Sequence, residues 1–201
     1  MYEIKNILGL VATVLVFIGY IPYLRDVVNG KTKPHLYSWL LWSFVTLIAF
    51  GLQLSDGAGS GSLVTLVAGL MCLVVIGLGL WKKSQVKIVK IDTVFLLLAF
   101  VALGLWLIAK QPVLSAILVT LIDLLGFAPT VRKSWHQPHS ETLSFYYLNF
   151  FRFGLAIIAL QNYSVVTALY PLTWLVANGL FALVLIVRRK QSILSVAKKI
   201  I

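Results

Sequence analysis

Three polar side chains stand inside stretches that are otherwise apolar: Asp123 in S-A-I-L-V-T-L-I-D-L-L-G-F, Arg152 in L-N-F-F-R-F-G-L and Asn178 in W-L-V-A-N-G-L. A carboxylate and a guanidinium of this kind support two chemistries. They can form a buried ion pair that locks two helices, with Asn178 as a helix-to-helix hydrogen bond. Alternatively they line a polar pocket in which Arg152 takes a carboxylate or phosphate oxygen and Asp123 balances it or binds a proton or an amine, while Asn178 orients the substrate and Trp174 packs against it. An ion pair that opens to admit substrate satisfies both. Helical spacing adds neighbours: Thr120, Phe127 and Thr130 share a stripe with Asp123, Asn149 lies one turn from Arg152, and Pro171 and Trp174 share a face with Asn178. Trp42, a turn deeper than Tyr37 and Trp39, is the first-half aromatic placed to face such a pathway. For Tyr37 and Trp39 interfacial anchoring is the expected role.

The elements that carry these residues follow from composition. The chain has 201 residues, 60% hydrophobic and 11% charged, outside the range of soluble domains. A spanning helix needs about 20 mostly apolar residues, and runs of that kind fall at 7–24, 37–54, 62–81, 93–109, 113–131, 143–160 and 165–187. Seven transmembrane helices in an all-α membrane protein are therefore expected. Asp123, Arg152 and Asn178 lie about ten, nine and thirteen residues into their runs, which at about 1.5 Å per residue puts all three near the midplane. A charge there costs at least about 2.5–3.5 kcal/mol, so it should face protein or a water-filled cavity and find a partner. The expected mutual partner is Asp123 with Arg152.

The chain also repeats itself. G-Y-I-P-Y-L-R at Gly19 matches G-F-A-P-T-V-R at Gly126, so that Pro22 pairs with Pro129 and Arg25 with Arg132; Ser38 pairs with Ser144 after a one-residue gap, and L-V-A-G-L at Leu66 pairs with L-V-A-N-G at Leu175. The same alignment sets Asp123, Arg152 and Asn178 against Val16, Thr46 and Gly69. Two three-helix units in parallel orientation need an odd helix between them, and the run at 93–109, with Thr93 its single polar residue, reads as that connector. The expected organisation is a first repeat over 1–91, a linker helix over 92–110, a second repeat over 111–190 and a basic tail over 191–201. Pro22 should bend the first helix near its end, and residues 55–61 should form a flexible turn with no site.

The net charge of +11 is distributed by position. Of the 17 Lys and Arg, all but Lys5, Lys110 and Arg152 fall on one side of the seven-helix reading, which sets the N-terminus outside or lumenal and the C-terminus in the cytoplasm. The charge then meets anionic headgroups rather than nucleic acid. Cys72 is the one cysteine, so no intramolecular disulfide can form. His35, His136 and His139 lie in basic loops without metal-ligand spacing, and the hydrolase, zinc-protease and nucleotide-binding motifs are not present. No catalytic residue, metal or cofactor is assigned, and an enzyme is not expected. Nothing in the sequence requires an oligomer.

The paired segments resemble the PQ-loop repeat, the three-helix unit of SWEET sugar transporters, cystinosin-like exporters and the KDEL receptor. The likeness spans nearly the whole chain and rests on Gly-x-x-Pro, the Arg that follows, and the Leu143-Ser144 entry (Tyr37-Ser38 in the first copy); the Pro-Gln pair itself reads Pro22-Tyr23 and Pro129-Thr130. It implies a path between two three-helix bundles, alternating access by rocking of the bundles, and hinges at Pro22 and Pro129. Asn178 matches the third-helix Asn with which SWEET-like proteins bind substrate, but Gly69 stands in the first copy. Asn149 stands where the cystinosin-like branch has a proton-binding Asp. The expected function is a transporter of a small polar metabolite, zwitterionic or anionic. The alternatives are a ligand-binding receptor of KDEL-receptor type and a lipid-handling membrane protein, the latter marked by a groove open laterally to the bilayer. A bacterial inner membrane is the favoured location, with a eukaryotic endomembrane as the alternative.

Overall fold

Leucine, valine, isoleucine and phenylalanine in runs longer than a strand can use leave the helix as the structure that satisfies every backbone group within one segment. The computed structural model describes residues 2–30, 34, 36–83, 90–139 and 141–200, with the side chains at 2, 91, 92, 129, 132, 133 and 193–200 outside the description. Its elements are helices α1 (Tyr2–Val28), α2 (Leu36–Ser55), α3 (Leu63–Trp81), α4 (Lys90–Leu107), α5 (Pro112–His136), α6 (Leu143–Ala159) and α7 (Val165–Ile200), with a 3₁₀ turn at Gly59–Ser62. The breaks have local causes. Lys83 and Lys110 take positive φ, at 53° and 54°, which ends the turns after α3 and α4. Pro112 then opens α5, where its missing N–H is no loss.

Four segments are long and apolar enough to cross a membrane: Glu3–Val28, Leu36–Ser55, Gly59–Trp81 and Val165–Ser192. The three other expected spans correspond to shorter apolar helical segments, Thr93–Leu107, Pro112–Ala128 and Leu143–Ala159. The exterior is that of a membrane protein: along α1, Ile7, Leu10, Val14, Phe17 and Ile21 are all about half exposed or more, an apolar row that water would not tolerate on this scale.

Packing follows one scheme on both sides of α4. In the first trio, α3 lies against both α1 and α2; in the second, α7 lies against both α5 and α6. Across the trios α1 packs on α6 and α2 on α5, while α4 rests on α5 and α2. Helix α1 runs through Pro22 to Val28. The helical assignment of α5 likewise runs through position 129 to His136, while the Pro129 side chain is outside the described residues. Pro171, in α7, shows how such a break is accommodated. Lacking an N–H, it leaves the carbonyl of Thr167 without its helical donor, and Gln53 of α2 donates Nε2 to that oxygen at 3.2 Å.

The expected flexible turn at 55–61 is instead a packed seam. Ala58 is fully buried and its carbonyl accepts from the Gln161 amide at 3.0 Å. Gly61 sits so close to α6 that a Cβ there would be 2.8 Å from the Ala156 carbonyl oxygen. Lys5 donates to the Leu160 carbonyl at 2.5 Å, Gln161 to Asn6 at 3.2 Å, Asn162 to the Asp56 carbonyl at 2.8 Å, and the Ser164 hydroxyl to the Asp56 carboxylate. The sequence offered only glycines, one alanine and small polar residues here. Their physical use is close approach, not slack.

Candidate functional site

The candidate residues meet at the centre of the bundle, and the connections among them differ from the expected ones. Asp123, 3% exposed, projects from α5 toward α7. Its Oδ2 accepts from the Tyr170 hydroxyl at 2.7 Å and from the Trp174 indole N–H at 2.9 Å. The Tyr170 oxygen lies 3.1 Å from the Thr46 hydroxyl. Because a phenol has one proton and Tyr170 gives it to Asp123, Thr46 is the donor in that second bond. A directed chain therefore runs from Thr46 of α2 through Tyr170 to Asp123, tying the first trio to the second at mid-depth.

Asn178, 1% exposed, is held from two sides. Its Nδ2 donates to the Trp174 carbonyl at 2.6 Å, and its Oδ1 accepts from Asn149 at 3.2 Å. Tyr170, Trp174 and Asn178 follow one another at four-residue intervals, so one face of α7 presents all three. Trp174 is further packed by Phe127, ring centroids 5.5 Å apart. Trp42 reaches α5 from the first trio: a Cβ on Gly126 would be 2.9 Å from its Nε1.

Arg152 is the exception to this satisfied network. It is 4% exposed, and its Nε and Nη1 are buried with no hydrogen-bond partner. Its guanidinium carbon sits 4.7 Å from the Phe153 ring centroid. The expected ion pair with Asp123 is not formed; among the described residues the one ion pair within 4.0 Å is Arg25 with Asp26, at 3.7 Å. The reason is geometric. Asp123 is turned toward α7, where two better-placed neutral donors saturate one of its oxygens, while Arg152 lies on α6 beside Phe153. A buried hydrogen-bonding group left unsatisfied costs about 1–3 kcal/mol, more when charged. The network thus leaves one strong cationic donor unused.

Of the expected residues, hydrogen bonds link Asp123 to Trp174, Trp174 to Asn178 and Asn178 to Asn149, while none joins Arg152 to them, and spacing missed Tyr170. The signal was present: Tyr170 precedes Trp174 by one helical turn, as Trp174 precedes Asn178. Trp39, expected at the interface, is 8% exposed and packs against Tyr20, Tyr23 and Trp42, with centroids 6.3, 5.0 and 5.3 Å away. Pro22 lies between Tyr20 and Tyr23 in α1. Comparison with known proteins returns no matching family model, no matching curated protein and no matching solved structure.

Proposed function

We propose that this chain is a PQ-loop-like membrane transporter, moving a small polar metabolite with an anionic group by alternating access between two parallel three-helix repeats. The carrying observation is Arg152, buried in the bundle with Nε and Nη1 lacking partners. A cation in that state is stable chiefly when something else completes it, and a carboxylate or phosphate oxygen is the matching group. Asn149, one turn before Arg152 on α6, is bonded to Asn178 of α7, and Asp123 of α5 is held by Tyr170 and Trp174 of α7.

The repeat reading is supported by packing and by a pair of equivalent bonds. Under the sequence alignment, Ser43 and Gly69 correspond to Asn149 and Asn178. Ser43 donates to the Gly69 carbonyl at 3.0 Å, joining α2 to α3, as Asn149 joins α6 to α7. The seam of Lys5, Asn6, Asp56, Leu160, Gln161 and Asn162 holds the trios together at the N-terminal end, consistent with a state closed on that side. Opening there requires those bonds to break while α1 and α5 flex near Pro22 and Pro129. The basic opposite end faces the cytoplasm in this reading, with the bacterial inner membrane as host.

A thermal-shift screen of the purified protein against amino acids, nucleosides, sugars and short carboxylates tests the proposal. A ligand that binds the native state raises its apparent stability by mass action. An anionic or zwitterionic hit, lost in a folded Arg152→Ala protein, is expected. A flat screen with Arg152→Ala failing to fold would make the residue a structural element and remove the proposal's support.

A further inference from the structure

The face of α5 beyond the polar network carries a feature that the transport reading leaves unused. Leu124, Phe127, Ala128, Val131, Trp135 and His136 line an open cavity of about 520 Å³. These positions recur at helical spacing along one side of α5, so the cavity is an elongated groove rather than a hole. From Leu124 to His136 it covers about 18 Å at 1.5 Å per residue. The hydrocarbon core of a bilayer is about 30 Å thick, or about 15 Å for each leaflet. The groove is therefore as long as one leaflet is deep, apolar along its length, and open toward lipid.

Its mouth is basic. Arg188 of α7 donates Nε to the Trp135 carbonyl at 2.9 Å and Nη1 to Gln191 at 2.8 Å, and its guanidinium carbon lies 4.9 Å from the Trp135 ring centroid. Both bonds are to neutral oxygens, and among the described residues no carboxylate pairs with it. Trp135 is 48% exposed, and His136 beside it is exposed as well. A fixed cation with a neighbouring indole at the headgroup level, above an acyl-length apolar channel, is the chemistry that selects an anionic phospholipid.

The geometry points to a resident anionic phospholipid, its phosphate at Arg188 and one acyl chain laid along Val131, Ala128 and Leu124. The lipid is not the cargo. Phe127, 8% exposed, forms the inner wall of the groove, and its ring packs edge-on against Trp174, the residue that donates to Asp123. The chain thus buttresses the wall of the polar site from behind without entering it.

Native mass spectrometry of the full-length protein, released from detergent after incubation with equal amounts of phosphatidylglycerol and phosphatidylcholine, tests this site. The wild type should be a monomer retaining phosphatidylglycerol over phosphatidylcholine by about fivefold, the preference a single surface Arg confers. Arg188→Gln should equalise the two lipids by lowering retained phosphatidylglycerol about fivefold while leaving phosphatidylcholine unchanged. Ala128→Phe, an apolar change on an exposed position that fills the groove, should lower retention of both. Equal retention of the two lipids by the wild type, an undiminished preference in Arg188→Gln, full retention in Ala128→Phe, or a lipid-free dimer would each overturn the assignment. The outcome is independent of whether a metabolite binds at Arg152.

Discussion

The two helix trios share a packing plan and differ in what they bury. At equivalent positions the first holds Val16, Thr46 and Gly69, and the second holds Asp123, Arg152 and Asn178. Val16 is fully buried among apolar neighbours, and Gly69 faces Leu47 so closely that a Cβ there would be 2.9 Å from Leu47 Cδ2. Thr46 alone of the first set reaches the polar network, through Tyr170. The difference teaches a division of labour. The first trio leaves only a neutral amide oxygen, that of Gln53, buried without a partner, whereas the second leaves a guanidinium, at Arg152, in that state.

The comparison breaks most sharply at Arg152. Arg152→Met keeps much of the side chain's volume and removes the unpartnered charge, so transport in proteoliposomes should fall by at least about 100-fold, the loss of a charge-assisted contact of about 3 kcal/mol. The melting temperature should hold or rise, because a buried cation without partners opposes folding. A large drop in melting temperature would show Arg152 to be a structural member of the second trio. Next in size is Asp123→Leu, which leaves the Trp174 N–H without an acceptor and the Tyr170 hydroxyl with Thr46 as its one partner, and should cost about 2–4 kcal/mol in reversible unfolding. Asp123→Asn keeps an acceptor oxygen and should cost less than half as much. Similar losses for both would mean that the carboxylate charge, not its two hydrogen bonds, holds α5 to α7.

The legible part of this molecule was whatever a local rule decides. Apolar run lengths gave the helices, and the polar residues standing inside those runs, Asp123, Arg152 and Asn178, are all buried. What spacing could not decide was partner choice. Opposite charges at one depth suggested an ion pair, but rotation of α5 and α6 about their own axes sets which neighbour each side chain meets, and that rotation comes from packing such as Trp42 against Gly126. The seam at 56–62 was unreadable for a related reason: glycine signals close contact and free turns alike until the opposing surface is known. Tyr170 was readable and was passed over because a tyrosine one turn from a tryptophan resembles ordinary aromatic packing.

Moving a second-trio residue into the first sharpens the comparison at smaller amplitude. Gly69→Asn should destabilise by about 1–3 kcal/mol, because its Cβ collides with Leu47 and forces a shift in a packed interior. Leu47→Ala in the same chain should recover part of that loss, and a double-mutant cycle measures the recovery as a coupling between the two sites. Additive effects would mean that Leu47 is not what excludes a side chain there.

The smallest expected effect concerns the equivalent helix-to-helix bonds. Ser43→Ala removes the donor to the Gly69 carbonyl and should cost about 0.5–1.5 kcal/mol, the net value of one neutral hydrogen bond. Asn149→Ala removes the donor to Asn178 and should cost a similar amount in unfolding, yet it should also weaken ligand binding, since Asn178 Oδ1 is then free to turn toward the site. Under the proposed function the first bond only fastens a wall, whereas the second also orients a polar group of the binding site. Equal, purely structural losses from both variants would place the asymmetry in the charges alone, and a binding defect from Ser43→Ala would bring the first trio into the site.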